Sequence, residues 1–212
     1  MDWTTIITSS VGAGIISGLI AQGAPWLREA INNGRAAEFS ALRLALMLED
    51  YAGQCSDVYG DVRTAISSHG HAGQHHSHLP VLPDYPTDIA WHALGTKLTE
   101  KVLTFRVVRA DAGAEINNEW DVNPGPPEDL SDFVGDKAIE VGLKAIAVAE
   151  LLRKKRKLSP TYPQGRWNLK NYLVEKAAEI TAQRARYEAQ QAESHAEMMA
   201  SIEAAGSTQA AV

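Results

Sequence analysis

The 212-residue sequence predicts an all-α protein, an antiparallel bundle of about four long helices preceded by an N-terminal helix. Apolar residues recur at alternating spacings of four and three over long stretches, which is the pattern of a helix that packs along one seam. Proline-rich interruptions separate four such stretches. Strand-like alternation bounded by turns does not appear over any useful length.

Composition and charge narrow the class of protein. Hydrophobic residues make up 45% and charged residues 22% of the chain, as in an ordinary globular protein with one core. The formal net charge of -6 gives no general attraction to nucleic acid, so no specific nucleic-acid partner is predicted. Cys55 is the only cysteine, which excludes an intramolecular disulfide and a Cys-based zinc or redox motif. We interpret it as a small core residue.

Residues 3–27 carry no charge over 25 positions, which is enough for a helix to cross a bilayer. Trp3 and Trp26 stand at the two ends, where indole rings prefer the headgroup region. Small residues recur every fourth position and form a ridge that permits close helix pairing: Ser10, Gly14 and Gly18. The segment is therefore predicted to be a membrane anchor through which the chain forms a homo-oligomer.

Positive charge follows this segment at Arg28, Arg35 and Arg43, which predicts a single-pass inner-membrane protein with its body in the cytoplasm. Two alternatives stay open. A secretory signal would be cleaved near Ala21 and Gly23, but it lacks the usual basic residues before its apolar region. A soluble cytoplasmic assembly would bury the segment between subunits, which its high Ser, Thr and Gly content permits.

The first helix of the body is predicted over residues 35–67 and has the clearest periodicity in the chain. Its seam consists of apolar residues at spacings of four and three, namely Ala37, Ala41, Leu44, Leu48, Tyr51, Cys55, Val58, Val62 and Ala65. A second helix, over residues 87–120, has one apolar face and is expected to pack antiparallel to the first. That face contains Trp91, Leu94, Leu98, Val102, Phe105, Ala112 and Ile116.

The third helix, over residues 130–157, is apolar on nearly all sides and should be the most buried. The fourth, over residues 167–205, begins with an apolar face and continues as a stretch rich in Ala, Gln and Glu that projects into solvent or meets a partner. Short loops favour up-down-up-down connectivity. The predicted organisation is an anchor and linker over 1–34, a four-helix bundle over 35–205 and a disordered tail over 206–212.

Five histidines fall within ten residues after the first helix: His69, His71, His75, His76 and His78. Imidazoles at this density can bind Zn or Ni. A structural metal site needs fixed ligand geometry and oriented supporting groups, for which the sequence offers no sign. A solvated polar loop is the favoured alternative, and apart from this loop no cofactor is predicted.

A basic run closes the third helix: Arg153, Lys154, Lys155, Arg156 and Lys157. It can bind phosphate or anionic headgroups, or serve as a docking patch for a partner. Cations at this position also complement the negative end of the helix dipole, and this capping interpretation is favoured. Up-down-up-down connectivity would put the run at the end of the bundle that faces away from the anchor.

Templates for catalysis are missing from the sequence. No Glu-x-x-His pair of a di-metal bundle occurs, and no nucleophile-elbow, phosphate-loop, dinucleotide or zinc-protease motif is found. No residue is therefore predicted to be catalytic, and the protein is predicted to be non-enzymatic.

The first 85 residues carry a resemblance. Glu-Phe-Ser-Ala-Leu-Arg-Leu-Ala at 38–45, Gly-His-Ala-Gly at 70–73 and Leu-Pro-Val-Leu-Pro at 79–83 resemble a group of uncharacterised bacterial proteins. Those proteins have one N-terminal membrane helix and a helical body, and no assigned function. The resemblance implies the same architecture here, whereas the histidines at 75, 76 and 78 depart from the pattern.

These observations predict a membrane-tethered helical scaffold that binds an unidentified protein partner in the cytoplasm. The polar fourth helix and the basic run are the expected docking surfaces. Two other functions stay open: a soluble oligomeric assembly protein, and a metal-binding protein that uses the His-rich loop.

Overall fold

The computed structural model describes the backbone of residues 3–122, 125–160 and 168–209. Side chains are described within the same ranges except for residues 3–28, 127 and 200–209. Five helices are described: α1 (Trp3–Ser67), α2 (Trp91–Leu94), α3 (Thr96–Val122), α4 (Pro127–Lys155) and α5 (Leu169–Gln209). No strand occurs in these ranges, so the predicted all-α class is confirmed.

The body half of α1 packs along the predicted seam. All nine seam residues from Ala37 to Ala65 are buried, and the helix ends at Ser67 as expected. α1 also runs without interruption through the predicted boundary between residues 34 and 35. The N-terminal helix and the first helix of the body are therefore one element.

The second predicted helix is divided into α2 and α3. Gly95 separates them with a φ of 81°, a left-handed conformation that glycine adopts at little cost. Residues 87–90, which were expected to be helical, belong instead to the connector that precedes α2. Six of the seven predicted face residues are buried, and Trp91 packs against the core while staying partly exposed.

The connector, residues 68–90, returns along the whole length of the bundle. At its start, Gly73 lies against the backbone of Asp61 in α1. At its end, the backbone N–H of Ala90 donates to Ser40 Oγ over 3.0 Å. About 27 helical residues span roughly 40 Å, which 23 extended residues cover easily. We call the end at which residues 3–36 enter the bundle the near end. The connector thus brings the chain back to the near end before α3 begins.

The direction of α3 follows from this return. Tyr85 donates to the carbonyl oxygen of Val102 over 2.6 Å, and Arg109 donates to that of Pro80 over 2.9 Å, so α3 runs opposite to the connector. α3 is therefore parallel to α1, with the rings of Tyr51 and Phe105 5.8 Å apart. The expected antiparallel packing of these helices, and with it the up-down-up-down order, is wrong because the connector itself supplies the return pass.

α4 is the central helix and packs against α1, α3 and α5. It runs antiparallel to α1, since Arg63 pairs with Asp132 at 2.8 Å near one end and Glu49 pairs with Arg153 at 2.6 Å near the other. Close approach is possible where α4 has glycine: a Cβ at Gly142 would lie 3.1 Å from Cys55 Cβ. α4 thus lies between the other long helices, and the expectation that it is the most buried helix stays a prediction.

α5 runs back along α4 and is parallel to α1. Lys170 pairs with Glu150 at 2.8 Å, and Arg184 pairs with Asp136 at 3.0 Å. Its first turn is capped by Asn168, whose Oδ1 accepts from the backbone N–H of Asn171. α5 extends to Gln209, while residues 210–212 of the predicted tail lie outside the described residues.

Candidate functional site

The basic run at the end of α4 is divided by the fold into inward and outward groups. Arg153 is 8% exposed and binds Glu49, itself 4% exposed, through two hydrogen bonds of 2.6 and 2.8 Å. Its remaining terminal nitrogen donates to the carbonyl oxygen of Ser159 over 2.8 Å. A bidentate buried pair fixes orientation as well as charge. Arg153 therefore joins α4 to α1 and is not available to a ligand.

Arg156 also has a structural position. Its Nη2 donates to the carbonyl oxygens of Ala93 and Leu94, at 2.8 and 2.6 Å. These carbonyls end the short helix α2, whose last turn has no intrahelical partner for them. Arg156 thus ties α2 to the end of α4.

Three cations of the run stay exposed: Lys154, Lys155 and Lys157. They are the part of the predicted anion or partner patch that a ligand can reach, and we call them the lysine cluster. Because α4 runs antiparallel to α1, the cluster lies at the near end of the bundle, on the side of residues 3–27. The expectation that it lies at the opposite end is wrong, for the same topological reason that makes α3 parallel to α1.

Distance limits what the lysine cluster can do at a membrane. It lies near the level of Glu49 and Ala45 on α1, roughly 30 Å of helix beyond Leu27. Attraction between exposed charges is screened over about 8 Å at physiological ionic strength. If the segment before Leu27 spans a bilayer and α1 is upright, the cluster would therefore lie beyond the reach of the headgroup charges.

The far end of the bundle is formed by the first turns of α4 and the His-rich loop. Of the five histidines, only His76 is half-buried, with its Nε2 3.3 Å from Asp61 Oδ2. Its backbone N–H also donates to Ser131 Oγ over 3.1 Å, which ties the loop to α4. The other four are exposed. Within the described part of the chain, no group of three or more potential ligands is arranged to hold a metal ion.

Gly73 fixes the position of this loop. It has a φ of 77°, and a Cβ there would lie 2.3 Å from the carbonyl oxygen of Asp61. Only glycine permits such an approach to α1. The loop is therefore held against α1 at this position, and four of its five imidazoles are exposed. The Zn or Ni site stays a prediction.

Cys55 lies in the core beside Tyr51 and is fully buried. Burial raises the pKa of its thiol to about 12. At neutral pH the thiol is therefore protonated, and a protonated thiol is a poor nucleophile and metal ligand. This agrees with the interpretation of Cys55 as a core residue.

A shallow cleft of about 370 Å³ lies between α1 and α5, lined in part by Tyr59 and Tyr172. Both of its cations are paired: Arg63 with Asp132 at 2.8 Å and Lys176 with Glu179 at 2.9 Å. The Arg63 pair joins α1 to α4, whereas the Lys176 pair lies within α5.

α5 leaves the bundle after Ile180, its last buried residue among those described. Arg184 still reaches Asp136 of α4, whose pKa is raised above its usual value by burial although Arg184 and Arg63 act in the opposite direction. Every described side chain from Thr181 to Met199 is exposed. This stretch, which we call the free half of α5, points away from the lysine cluster, because α5 and α4 are antiparallel.

The predicted anchor and ridge residues Trp3, Ser10, Gly14, Gly18 and Trp26 lie outside the side chains that the structure describes. Their backbone forms the first part of α1. Where side chains are described, no helix is both long enough and apolar enough to span a bilayer. The anchor and its pairing ridge stay predictions.

The chain was compared with known proteins by sequence and by structure. No family model, no curated protein and no solved structure matches it. The resemblance to bacterial proteins with an N-terminal membrane helix therefore stays a prediction from the residues that carry it.

Sequence reasoning missed Glu49, the partner that decides the role of Arg153. A signal was present: Ala45, Glu49, Ala52 and Ser56 follow spacings of four and three beside the main seam, and all four are buried. A single carboxylate in a second buried stripe indicates a buried cation opposite it.

Proposed function

We propose that the chain is a non-enzymatic helical interaction protein, tethered to a membrane by residues 3–27 and presenting its bundle in the cytoplasm. The observation that carries the proposal is the continuity of α1, which begins in the uncharged segment and ends at Ser67 inside the bundle. An anchor built this way holds the body at a defined distance from the bilayer. Ala37, the first buried residue among those described, lies ten positions or about 15 Å of helix beyond Leu27.

Two surfaces are available to partners in this proposal. The lysine cluster at the near end of the bundle suits an acidic protein surface. The free half of α5 projects from the far end and offers a helix that the rest of the described chain leaves uncovered. Both surfaces are carried by helices whose other residues are fixed in the core, which is the usual requirement for a scaffold.

Membrane fractionation tests the tether. The full chain is compared with a chain that begins at Arg35, and both membrane pellets are washed with alkaline carbonate. The proposal predicts that the full chain stays in the washed pellet and that the shorter chain is soluble. If carbonate releases the full chain, or if both chains are soluble, residues 3–27 belong to a protein interface, and the alternative of a soluble oligomeric assembly takes the place of the tether.

A further inference from the structure

A continuous apolar seam begins at Ala178 and runs the length of the free half of α5, where every described side chain is exposed. The seam residues recur at spacings of four and three: Ala178, Ala182, Ala185, Ala189, Ala192, Ala196 and Met199. All of them are exposed, including Met199 at 46%. This is the a and d spacing of a two-stranded coiled coil. A helix standing alone in water gains nothing from tertiary packing, which supplies most helix stability in proteins.

Four ionisable residues flank the seam at the positions that choose a coiled-coil partner. Arg186 and Glu193 lie along one edge, and Glu188 and His195 lie along the other. Among the described side chains, none of these four forms a hydrogen bond or an ion pair. Their charges are therefore available to a partner helix.

The pattern is complementary to itself when two copies run antiparallel. In that orientation each edge of one helix meets the same edge of the other. With Ala189 opposite Ala192 of the second copy, Arg186 faces Glu193 of that copy, and Glu188 faces its His195. Two-fold symmetry repeats both contacts, so all four cross-pairs join groups that attract or hydrogen-bond.

A parallel pair lacks this complementarity. There, opposite edges meet with an offset of five residues, which brings Glu188 of one copy against Glu193 of the other. Like charges in such contacts destabilise the pair. The charge pattern thus selects the antiparallel orientation, and alanine at the seam lets the two helix axes approach closely.

We propose that two copies of the chain associate through the free half of α5 as an antiparallel coiled coil centred between Gln190 and Gln191. This inference rests on the proposed function in treating α5 as a docking surface, and it names a second copy as the partner. Since the free half and residues 3–27 leave opposite ends of the bundle, the two N-terminal helices of a pair lie at opposite ends of the assembly, and two tethered copies would be anchored in facing stretches of membrane.

Disulfide trapping tests the pairing in the full chain, purified in a mild detergent. In the proposed register Ala182 faces Met199 of the second copy, whereas each lies about 25 Å from its own counterpart. The double variant A182C/M199C should give a covalent dimer on mild oxidation. The single variants A182C and M199C should not, and the parent chain controls for buried Cys55. No dimer from the double variant, or a dimer from A182C alone, would overturn the proposal.

Charge exchange supplies a second test on the same full chain. Glu193→Arg turns two attractive contacts into repulsive ones and should raise the dissociation constant of the dimer about tenfold in sedimentation equilibrium. The exchange R186E/E193R should restore the parent value. Glu197→Arg, which lies off both edges, is the matched control and should have little effect. An unchanged dissociation constant for Glu193→Arg would contradict the register.

The two proposals fail separately. Release of the full chain by carbonate would refute the membrane tether and leave the cross-link between positions 182 and 199 unaffected. Absence of that cross-link in a chain that resists carbonate would refute the pairing and leave the tether unaffected.

Discussion

Arg153→Ala removes the cation that joins α4 to α1 and leaves Glu49 buried without its charge partner. Glu49 is 4% exposed and receives two hydrogen bonds from Arg153, of 2.6 and 2.8 Å. Breaking one side of a buried ion pair costs about 3–5 kcal/mol, because the remaining carboxylate loses its bidentate guanidinium partner in a site with little access to water. For a domain whose total stability is about 5–15 kcal/mol, this is a large share.

Urea unfolding followed by circular dichroism measures the loss as a decrease in the free energy of unfolding. In a thermal scan the same loss should lower the Tm by roughly 10 °C for a chain of this size. Lys154→Ala is the matched control in the same helical turn and should change the free energy of unfolding by less than about 0.5 kcal/mol.

Replacing both Glu49 and Arg153 by apolar residues shows how much of the lost free energy of unfolding comes from breaking the ion pair and how much from lost packing. The double variant E49L/R153M should recover most of the stability, since a well-packed apolar pair of similar size is often as stable as a buried ion pair. The reasoning is refuted if Arg153→Ala loses less than about 1 kcal/mol, or if the double variant is no more stable than the single one.

Two further predictions concern Gly73 and Cys55. Gly73→Ala places a Cβ 2.3 Å from the carbonyl oxygen of Asp61 and should lower the free energy of unfolding by about 2 kcal/mol or more. Gly70→Ala is the control: Gly70 has a similar φ but open space around it, so the loss should be only about 1 kcal/mol. Equal losses for the two variants in urea unfolding would contradict this difference. Burial raises the pKa of the Cys55 thiol from 9.0 to about 12, so its contribution to stability is complete below pH 9 and is lost as the pH rises towards 12. In that window the parent should lose up to about 1.4 kcal/mol per pH unit more than Cys55→Ala, and parallel pH profiles would show that the thiol ionises in the folded protein.

The helices of the body were predictable because their signal is local. The seam from Ala37 to Ala65 repeats every three or four residues, and a single helix has to bury such a stripe whatever its neighbours are. The end of the first helix at Ser67 followed from the same kind of evidence. The break at Gly95 was missed because an isolated glycine is tolerated within helices, and only its positive φ reveals the interruption.

The direction of α3 could not be obtained from such signals. Residues 68–90 contain prolines and glycines, which identify a connection but do not say where it leads. Its course depends on contacts between residues far apart in sequence, such as Arg109 with the carbonyl oxygen of Pro80 and Ala90 with Ser40. The assumption of short loops therefore gave α3, α4 and α5 the wrong direction relative to α1, and it placed the basic run at the wrong end of the bundle.

The roles within the basic run were likewise set by partners. Arg153 and Arg156 stand beside Lys154 and Lys155 in the sequence and have the same formal charge. The planar guanidinium matches a carboxylate or a pair of carbonyl oxygens, which suits arginine to buried positions better than lysine. Both arginines turn inward and the three lysines turn outward. The residue types indicate this division, but its cause is the position of the partners, which are Glu49 for Arg153 and the carbonyl oxygens of Ala93 and Leu94 for Arg156.

Thiol labelling in oriented membranes tests the central claim most directly, namely that residues 3–27 anchor a cytoplasmic bundle. Glu197→Cys in the full chain provides an exposed thiol on α5 that lies off the proposed pairing seam, against a background from Cys55 that is buried. A membrane-impermeant maleimide should label the variant in carbonate-washed, inverted inner-membrane vesicles and should not label it in intact spheroplasts. Labelling in intact spheroplasts, or a variant found only in the soluble fraction, would contradict the claim.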